Sequence, residues 1–287
     1  MAPRPLQTAT LTVLALIAFA ANSLLTRLAL DSGTIDAASF TGIRLAAGAA
    51  MLVALTGRGL LRRGNARGWA RLAGPVALFV YAAPFSFAYM RIGAAVGALV
   101  LFGSVQLTMI GWAMLRGEQP GPRVAVGIAL AAGGLLLLTL PGASRPDPLG
   151  AALMAVAGIA WGVYSLCGRG SRDPLAANAR NFAWSVPLAL ALSLSTLDDA
   201  EVSGRGLWLA VISGALTSGL GYAIWFRALR GLSATRAGVV QLSVPVLAAF
   251  GAAIFLGESV TTRLVGSSVA VLGGVGLALT TPRSHRS

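Results

Sequence analysis

The sequence predicts an all-α membrane protein of ten transmembrane helices, arranged as two inverted five-helix repeats with the N- and C-termini cytoplasmic. Three observations lead there. Apolar runs of membrane-spanning length recur from one end of the 287 residues to the other. Arginines collect in alternate connecting segments. The chain also resembles itself at an offset of 140 residues.

The apolar runs come first. The chain is 56% hydrophobic and 11% charged, against about 25% charged residues in a soluble domain, and its mean hydropathy is +0.78. A helix needs about 20 mostly apolar residues to cross the hydrocarbon core. Breaks rich in charge, Pro and Gly divide the chain into spans near 8–30, 34–56, 72–90, 94–115, 122–140, 148–167, 175–197, 206–229, 234–256 and 261–280. Lipid tolerates no unpaired backbone, so each span must be helical. Arg4, the run Leu11 to Ile17 and the Ala18-Phe19-Ala20 triplet imitate a cleaved signal peptide. The apolar stretch runs on to Leu30 and has a counterpart in the second half, so it reads as the first span.

Loop arginines set the orientation. With the N-terminus inside, the inner segments hold 14 arginines: Arg4, Arg58, Arg62, Arg63, Arg67, Arg71, Arg116, Arg123, Arg169, Arg172, Arg227, Arg230, Arg283 and Arg286. The outer segments hold four, Arg91, Arg145, Arg205 and Arg263, with seven of the nine acids. That asymmetry accounts for the net charge of +13 without a nucleic-acid partner, because the arginines form no basic stripe. One cysteine, Cys167, and one histidine, His285, leave no disulfide framework and no ordinary transition-metal site. No cofactor is expected. Without a Walker motif the chain cannot draw on ATP directly.

The repeat pairs Ala88 with Ala228, Val100 with Val240, Gly117-Glu118 with Gly257-Glu258, and Gly133-Gly134 with Gly273-Gly274. Glu is rare here, so the Gly-Glu match carries the weight. The first repeat covers 1–141 and the second 147–281, with a cytoplasmic tail at 282–287. Five spans is an odd number, so the second half enters the membrane from the opposite side. Glu118 then falls inside and Glu258 outside. Inverted halves are the usual architecture of secondary transporters, with substrate bound near the midplane between them.

With an arginine in the second span of each half (Arg44; Arg180-Asn181) and Gly-Glu closing the fourth, the chain resembles the EamA branch of the drug/metabolite transporter superfamily. Many relatives carry a Trp-Gly pair in the first span. Here Ala21-Asn22 stands there, and Trp161-Gly162 occupies the equivalent place in the second half. The resemblance implies a multi-pass protein of the bacterial inner membrane. It further implies export of small metabolites, neutral or aromatic amino acids foremost, with drugs or other metabolites as the alternative. The partners it implies are a small-molecule substrate and the lipid bilayer. An intramembrane enzyme acting on lipids would need a convergent acid, His, Cys or metal site, and no such cluster is apparent.

Polar groups at mid-span are functional candidates by default. Arg44 sits near the centre of span two with no carboxylate in any neighbouring span's middle. It reads first as a structural arginine tying helices together, and second as a clamp for a substrate carboxylate. Tyr81, Phe85 and Tyr89 share a face of span three; Trp161, Tyr164 and Ser165 share one on span six, and Ser218, Tyr222 and Trp225 one on span eight. With Asn22 and Thr26 in span one, Gln106 in span four and Gln241 in span nine, such faces suit an apolar cavity with a few convergent polar groups. The substrate-binding set is therefore Tyr81, Trp161, Tyr222, Asn22, Gln106, Gln241, Ser218 and Tyr164. Trp69, Trp112 and Trp208 lie at span ends, as interfacial aromatics do. Pro84 and Pro245 each remove a helix hydrogen bond within a span and can bend it, so they join Arg44, Glu118 and Glu258 as structural or gating residues. Gly93 with Gly97, and the two Gly-Gly pairs, read as close helix approaches. No acid stands mid-span, so coupling to protons is not expected and downhill export is the simpler mechanism.

Overall fold

The computed structural model describes residues 4–57, 70–92, 94–139 and 147–280. Arg58, Arg62, Arg63, Arg67, Trp69, Gly93, Arg145, Arg283, His285, Arg286 and the rest of the 282–287 tail lie outside these residues. Ten long helices follow one another: α1 (Pro5–Leu30), α2 (Ala37–Thr56), α3 (Ala70–Tyr89), α4 (Ala94–Leu115), α5 (Pro122–Thr139), α6 (Pro148–Arg169), α7 (Pro174–Ser195), α8 (Gly204–Leu229), α9 (Ala234–Leu256) and α10 (Thr262–Leu279).

Their ends fall within a few residues of the expected spans, and local chemistry explains the offsets. Span two begins at 37 rather than 34 because the Asp36 carboxylate accepts from the backbone nitrogens of Ala38 and Ser39 at 2.9 and 2.8 Å. Asp147, Asp173, Ser203, Ser233 and Thr261 cap five further helices in the same way. Pro5, Pro148 and Pro174 occupy the first helical turn, where no amide hydrogen is needed. The fourth and ninth helices are each followed by a glycine in the left-handed region, Gly117 at φ 83° and Gly257 at φ 70°.

Nine of these helices are long and apolar enough to cross a membrane among the described residues. The tenth, α7, has the length but carries Asn178, Arg180 and Asn181 in its first two turns. Side chains that a soluble protein would bury cover the outside: Leu107, Leu115, Trp208, Ile254, Phe255 and Val269 are all exposed. An apolar surface of this extent belongs against lipid.

Packing is specific inside that shell. Helix α3 lies against α6 and α1 against α8; α4 lies against α6 and α1 against α9; α2 meets α7, and α5 meets α10. The α5–α10 contact is made by small residues. A Cβ at Gly274 would stand 2.5 Å from the Gly127 carbonyl oxygen, and one at Gly134 would stand 2.9 Å from the Val271 nitrogen. Gly133 and Gly273, expected to share this role, face open space instead, because they lie one residue further round their helices. Pro84 leaves α3 continuous, as do Pro75 in the same helix and Pro187 in α7.

Candidate functional site

Two helices depart from α geometry, and both pass through the centre of the bundle. Helix α8 is α-helical over Gly204–Ile212 and Gly221–Leu229, with a π-helical stretch, Ser213–Leu220, between them. Helix α9 is interrupted at Leu242, between Ala234–Gln241 and Ser243–Leu256. The cause there is Pro245, whose ring nitrogen cannot donate to the Gln241 carbonyl. The departure in α8 is a widened turn and that in α9 a tightened one, in which Leu242 N donates to Val239 O at 3.1 Å, and both kinds recur at functional sites. Here they aim hydroxyl and amide side chains inward that a regular helix would spread around its circumference.

The π stretch contributes Ser213, Thr217 and Ser218, whose hydroxyls converge on Asn22 Oδ1 from α1 at 2.8, 3.2 and 3.3 Å. Helix α2 comes close enough to bring Arg44 to the same place, because Gly214 lies on the Arg44 backbone where a Cβ would not fit. Arg44 is fully buried. Its Nε donates to Ser218 Oγ at 2.9 Å, and its Nη2 to Tyr222 OH at 2.7 Å and Tyr81 OH at 3.4 Å. The guanidinium carbon also stands 5.4 Å from the ring centre of Tyr81 and 5.8 Å from that of Phe85. Among the described residues no carboxylate pairs with it, and Nη1 has no hydrogen-bond partner. Hydroxyls and ring faces solvate this cation in place of a counter-ion.

Around that polar knot lies an aromatic cluster. Trp161 stands 4.9 Å from Tyr81, 4.7 Å from Tyr222 and 5.1 Å from Phe19 between ring centres. Its indole nitrogen donates to Gln241 Oε1 at 2.5 Å, on the last turn before the α9 break. Gln241 in turn donates to the Ala237 carbonyl at 2.9 Å, which fixes the amide.

A cavity of about 240 Å³ opens above this cluster, bounded by α1, α3, α4, α5 and α9. Its walls are mainly Leu24, Phe85, Leu101, Phe102, Val244 and the alanines 98, 248, 249 and 252, with Ser23, Arg27, Tyr89, Thr139 and Glu258 as the polar exceptions. A smaller space of about 20 Å³ continues inward and is lined by Phe19, Asn22, Tyr81, Trp161 and Tyr222. The two share Ser23, Phe85, Leu101, Phe102 and Val244. For scale, an apolar cavity of about 150 Å³ admits benzene.

The two ends of the bundle are built differently. At the cavity mouth, Arg27 Nη2 pairs with Glu258 Oε1 at 2.7 Å, and Arg27 Nε lies 3.4 Å from Asp31. At the other end Glu118 closes on the first turn of α9. It accepts from the Ala234 and Thr235 nitrogens at 3.2 and 3.3 Å and from Thr235 Oγ1 at 2.9 Å. Partial burial pushes the Glu118 carboxyl up, but those hydrogen bonds, with Arg169 nearby, outweigh it and hold it below the usual carboxylate range. Below the aromatic cluster, Tyr164 donates to Asn178 Oδ1 at 2.6 Å and Trp225 to Ser165 Oγ at 3.0 Å. Gly168 lies against the Phe226 ring. Among the described residues, Tyr164, Trp225 and Phe226 are fully buried at this end.

Of the residues expected to bind substrate, Tyr81, Trp161, Tyr222 and Asn22 line the inner space together. Ser218, Gln241, Tyr164 and Gln106 line neither cavity. They stand one layer behind, Ser218 and Gln241 bonded to Arg44 and Trp161, and Gln106 to the Gly238 carbonyl at 3.2 Å. Pro245 lines the outer cavity, and Pro84 does not. Sequence reasoning passed over Phe19, Arg27, Ser213 and Thr217. Ser213 and Thr217 are four apart and, with Ser218, form a hydroxyl stripe that could have been noticed. Arg27 carried its own mark as a charge within span one, whereas Phe19 has none among apolar neighbours.

Residues 148–280 match the EamA-like transporter family. The uncharacterized protein PA1977 of Pseudomonas aeruginosa is 51% identical over 285 residues, covering 98% of this chain and 97% of its own. The uncharacterized transporter YoaV of Bacillus subtilis is 24% identical over 125 residues, which is 42% of this chain and 43% of that one. A protein of known crystal structure shares the fold, with a TM-score of 0.74 over 96% of this chain and 99% of its own at 22% identity. The chain is thus a multi-pass membrane transporter and not an enzyme, and its second half, residues 148–280, matches the EamA-like transporter family.

Proposed function

We propose that this transporter exports small metabolites with an apolar body, neutral and aromatic amino acids foremost, across the bacterial inner membrane. It works by alternating access between two inverted halves, 1–141 and 147–281. The observation that carries this reading is the central cavity. It is apolar along most of its wall, and the space of about 20 Å³ at its inner end is lined by Tyr81, Trp161 and Tyr222, which stand within 6.3 Å of one another between ring centres. Aromatic pairs contribute about 0.5–1.5 kcal/mol beyond area burial, which favours a ring or a branched aliphatic group in the outer cavity against Phe85 and Phe102.

The helix contacts support the division into halves. Exchanging α1 with α6, α2 with α7, α3 with α8, α4 with α9 and α5 with α10 maps the principal packing pairs onto one another. The pair α3–α6 becomes α8–α1, α4–α6 becomes α9–α1, and α2–α7 and α5–α10 map onto themselves. The left-handed glycines Gly117 and Gly257 exchange as well. A cavity open at the Arg27–Glu258 end and closed at the Glu118 end then corresponds to one of two exchangeable states.

Purified protein in liposomes should pass large neutral amino acids down their gradient with no proton gradient imposed. Trp161→Phe keeps a ring and loses the donor to Gln241, and it should lower that flux several-fold while melting stays near the wild-type value. Trp208, exposed on the lipid side, should accept the same change without effect. A cooperatively melting protein that passes no amino acid would remove this substrate class and leave other small metabolites. Flux seen only with a proton gradient would remove the uncoupled mechanism.

A further inference from the structure

Two residues of opposite charge line the outer cavity, and they face each other. Arg27 lies in the last turn of α1 and Glu258 follows α9, with Nη2 and Oε1 2.7 Å apart. Among the described residues no other charged side chain lines this cavity. Both side chains are partly open to solvent, 36% and 45% exposed, so the pair is inexpensive to open. Asp31 approaches Arg27 from the Nε edge, and it does not line the cavity. The Nη2 edge is therefore the one presented to anything that enters.

A single ion entering here would leave either Glu258 or the Nη2 edge of Arg27 without its counter-charge at a half-exposed mouth, which is mildly unfavourable. A zwitterion exchanges one ion pair for two and leaves neither residue unpaired. Its carboxylate takes Arg27, its ammonium takes Glu258, and its apolar body lies along Leu101, Phe102 and Ala248 toward Trp161.

We propose that Arg27 and Glu258 form a charge-reading site at the cavity mouth that selects apolar zwitterions over the matching amines and acids. This rests on the reading of the cavity as the substrate path. The expected selectivity is modest, about fivefold for each lost pairing in so exposed a setting.

The experiment uses three ligands that share one ring and differ in head group: L-phenylalanine, 2-phenylethylamine and 3-phenylpropionate. Binding is read by titration of the purified full-length protein in lipid nanodiscs. Wild type should prefer phenylalanine. Glu258→Gln should move the preference to the acid, and Arg27→Gln should move it to the amine, each by about fivefold. Glu258→Asp keeps the charge and should keep the wild-type order. The proposal is overturned if both Gln variants retain the phenylalanine preference, or if they lose all three ligands alike while melting as wild type does. In the latter case the pair is a latch and reads no charge. If wild type still carries amino acids in liposomes while the variants show no swing, the site falls and the proposed function stands. A wild type that prefers no zwitterion overturns this proposal, and a liposome flux assay on the same preparation then decides the function separately.

Discussion

Arg44 shows how much a single residue decides in a membrane interior. Its charge meets hydroxyls from α3 and α8 and the ring faces of Tyr81 and Phe85, so one side chain ties α2 to two other helices. Hydrogen bonds to a charged group are worth about 1.5–3 kcal/mol each, somewhat less between membrane helices. Arg44→Met keeps most of the volume and removes every donor. It should lower the melting temperature by several degrees whether or not substrate is present, as a thermal-shift assay in detergent would show. A variant as stable as wild type but with altered substrate preference would mean that the guanidinium serves the ligand and not the bundle.

At the scale of elements, the same dipeptide sequence does different work in its two positions. Gly273 and Gly274 are neighbours on α10, yet a Cβ at 273 meets nothing within 4 Å, while one at 274 meets the Gly127 carbonyl and the Ala131 nitrogen. Backbone atoms cannot step aside, so α10 itself would have to move away from α5. Gly274→Ala should therefore destabilise the protein by about 1–3 kcal/mol, as overpacking does. Gly273→Ala should be neutral or gain up to about 1 kcal/mol of helix propensity. Equal melting temperatures for the two variants would contradict the packing of α5 on α10. The breaks in α8 and α9 belong to the same scale. Pro245 could be read in advance as a break, whereas the π stretch at Ser213–Leu220 has no proline to announce it.

For the molecule as a whole, the arginine distribution predicts which side of the membrane each end faces. With Cys167 replaced, single cysteines at Ser32 and Ala200 should react with an impermeant thiol reagent added outside, and one at Gln119 should not. Ser32 and Ala200 are exposed in connections at one end of the bundle, where Ser203 N donates to Thr34 O at 2.9 Å and joins the α1–α2 and α7–α8 segments. The reverse labelling pattern would turn the protein over and place the cavity mouth on the cytoplasmic side.

The fold was legible before the structure because the bilayer restricts what a sequence can do. Once backbone hydrogen bonds must be satisfied within each segment, apolar length alone specifies helices, and charged breaks and caps such as Asp36 specify their ends. Depth was legible too, since it follows from position along a span. That is why Tyr81, Trp161, Tyr222 and Asn22 could be proposed as neighbours, and the structure does bring them to one small space. The azimuth of each helix was decided only by tertiary packing. A residue's direction around the axis depends on where the α8 backbone widens, where Pro245 interrupts α9, and which glycine faces a neighbour. These set Gln241, Ser218 and Gln106 behind the cavity wall and carry Arg27 of α1 to Glu258 after α9, a meeting of residues 231 positions apart that no local pattern in the sequence encodes.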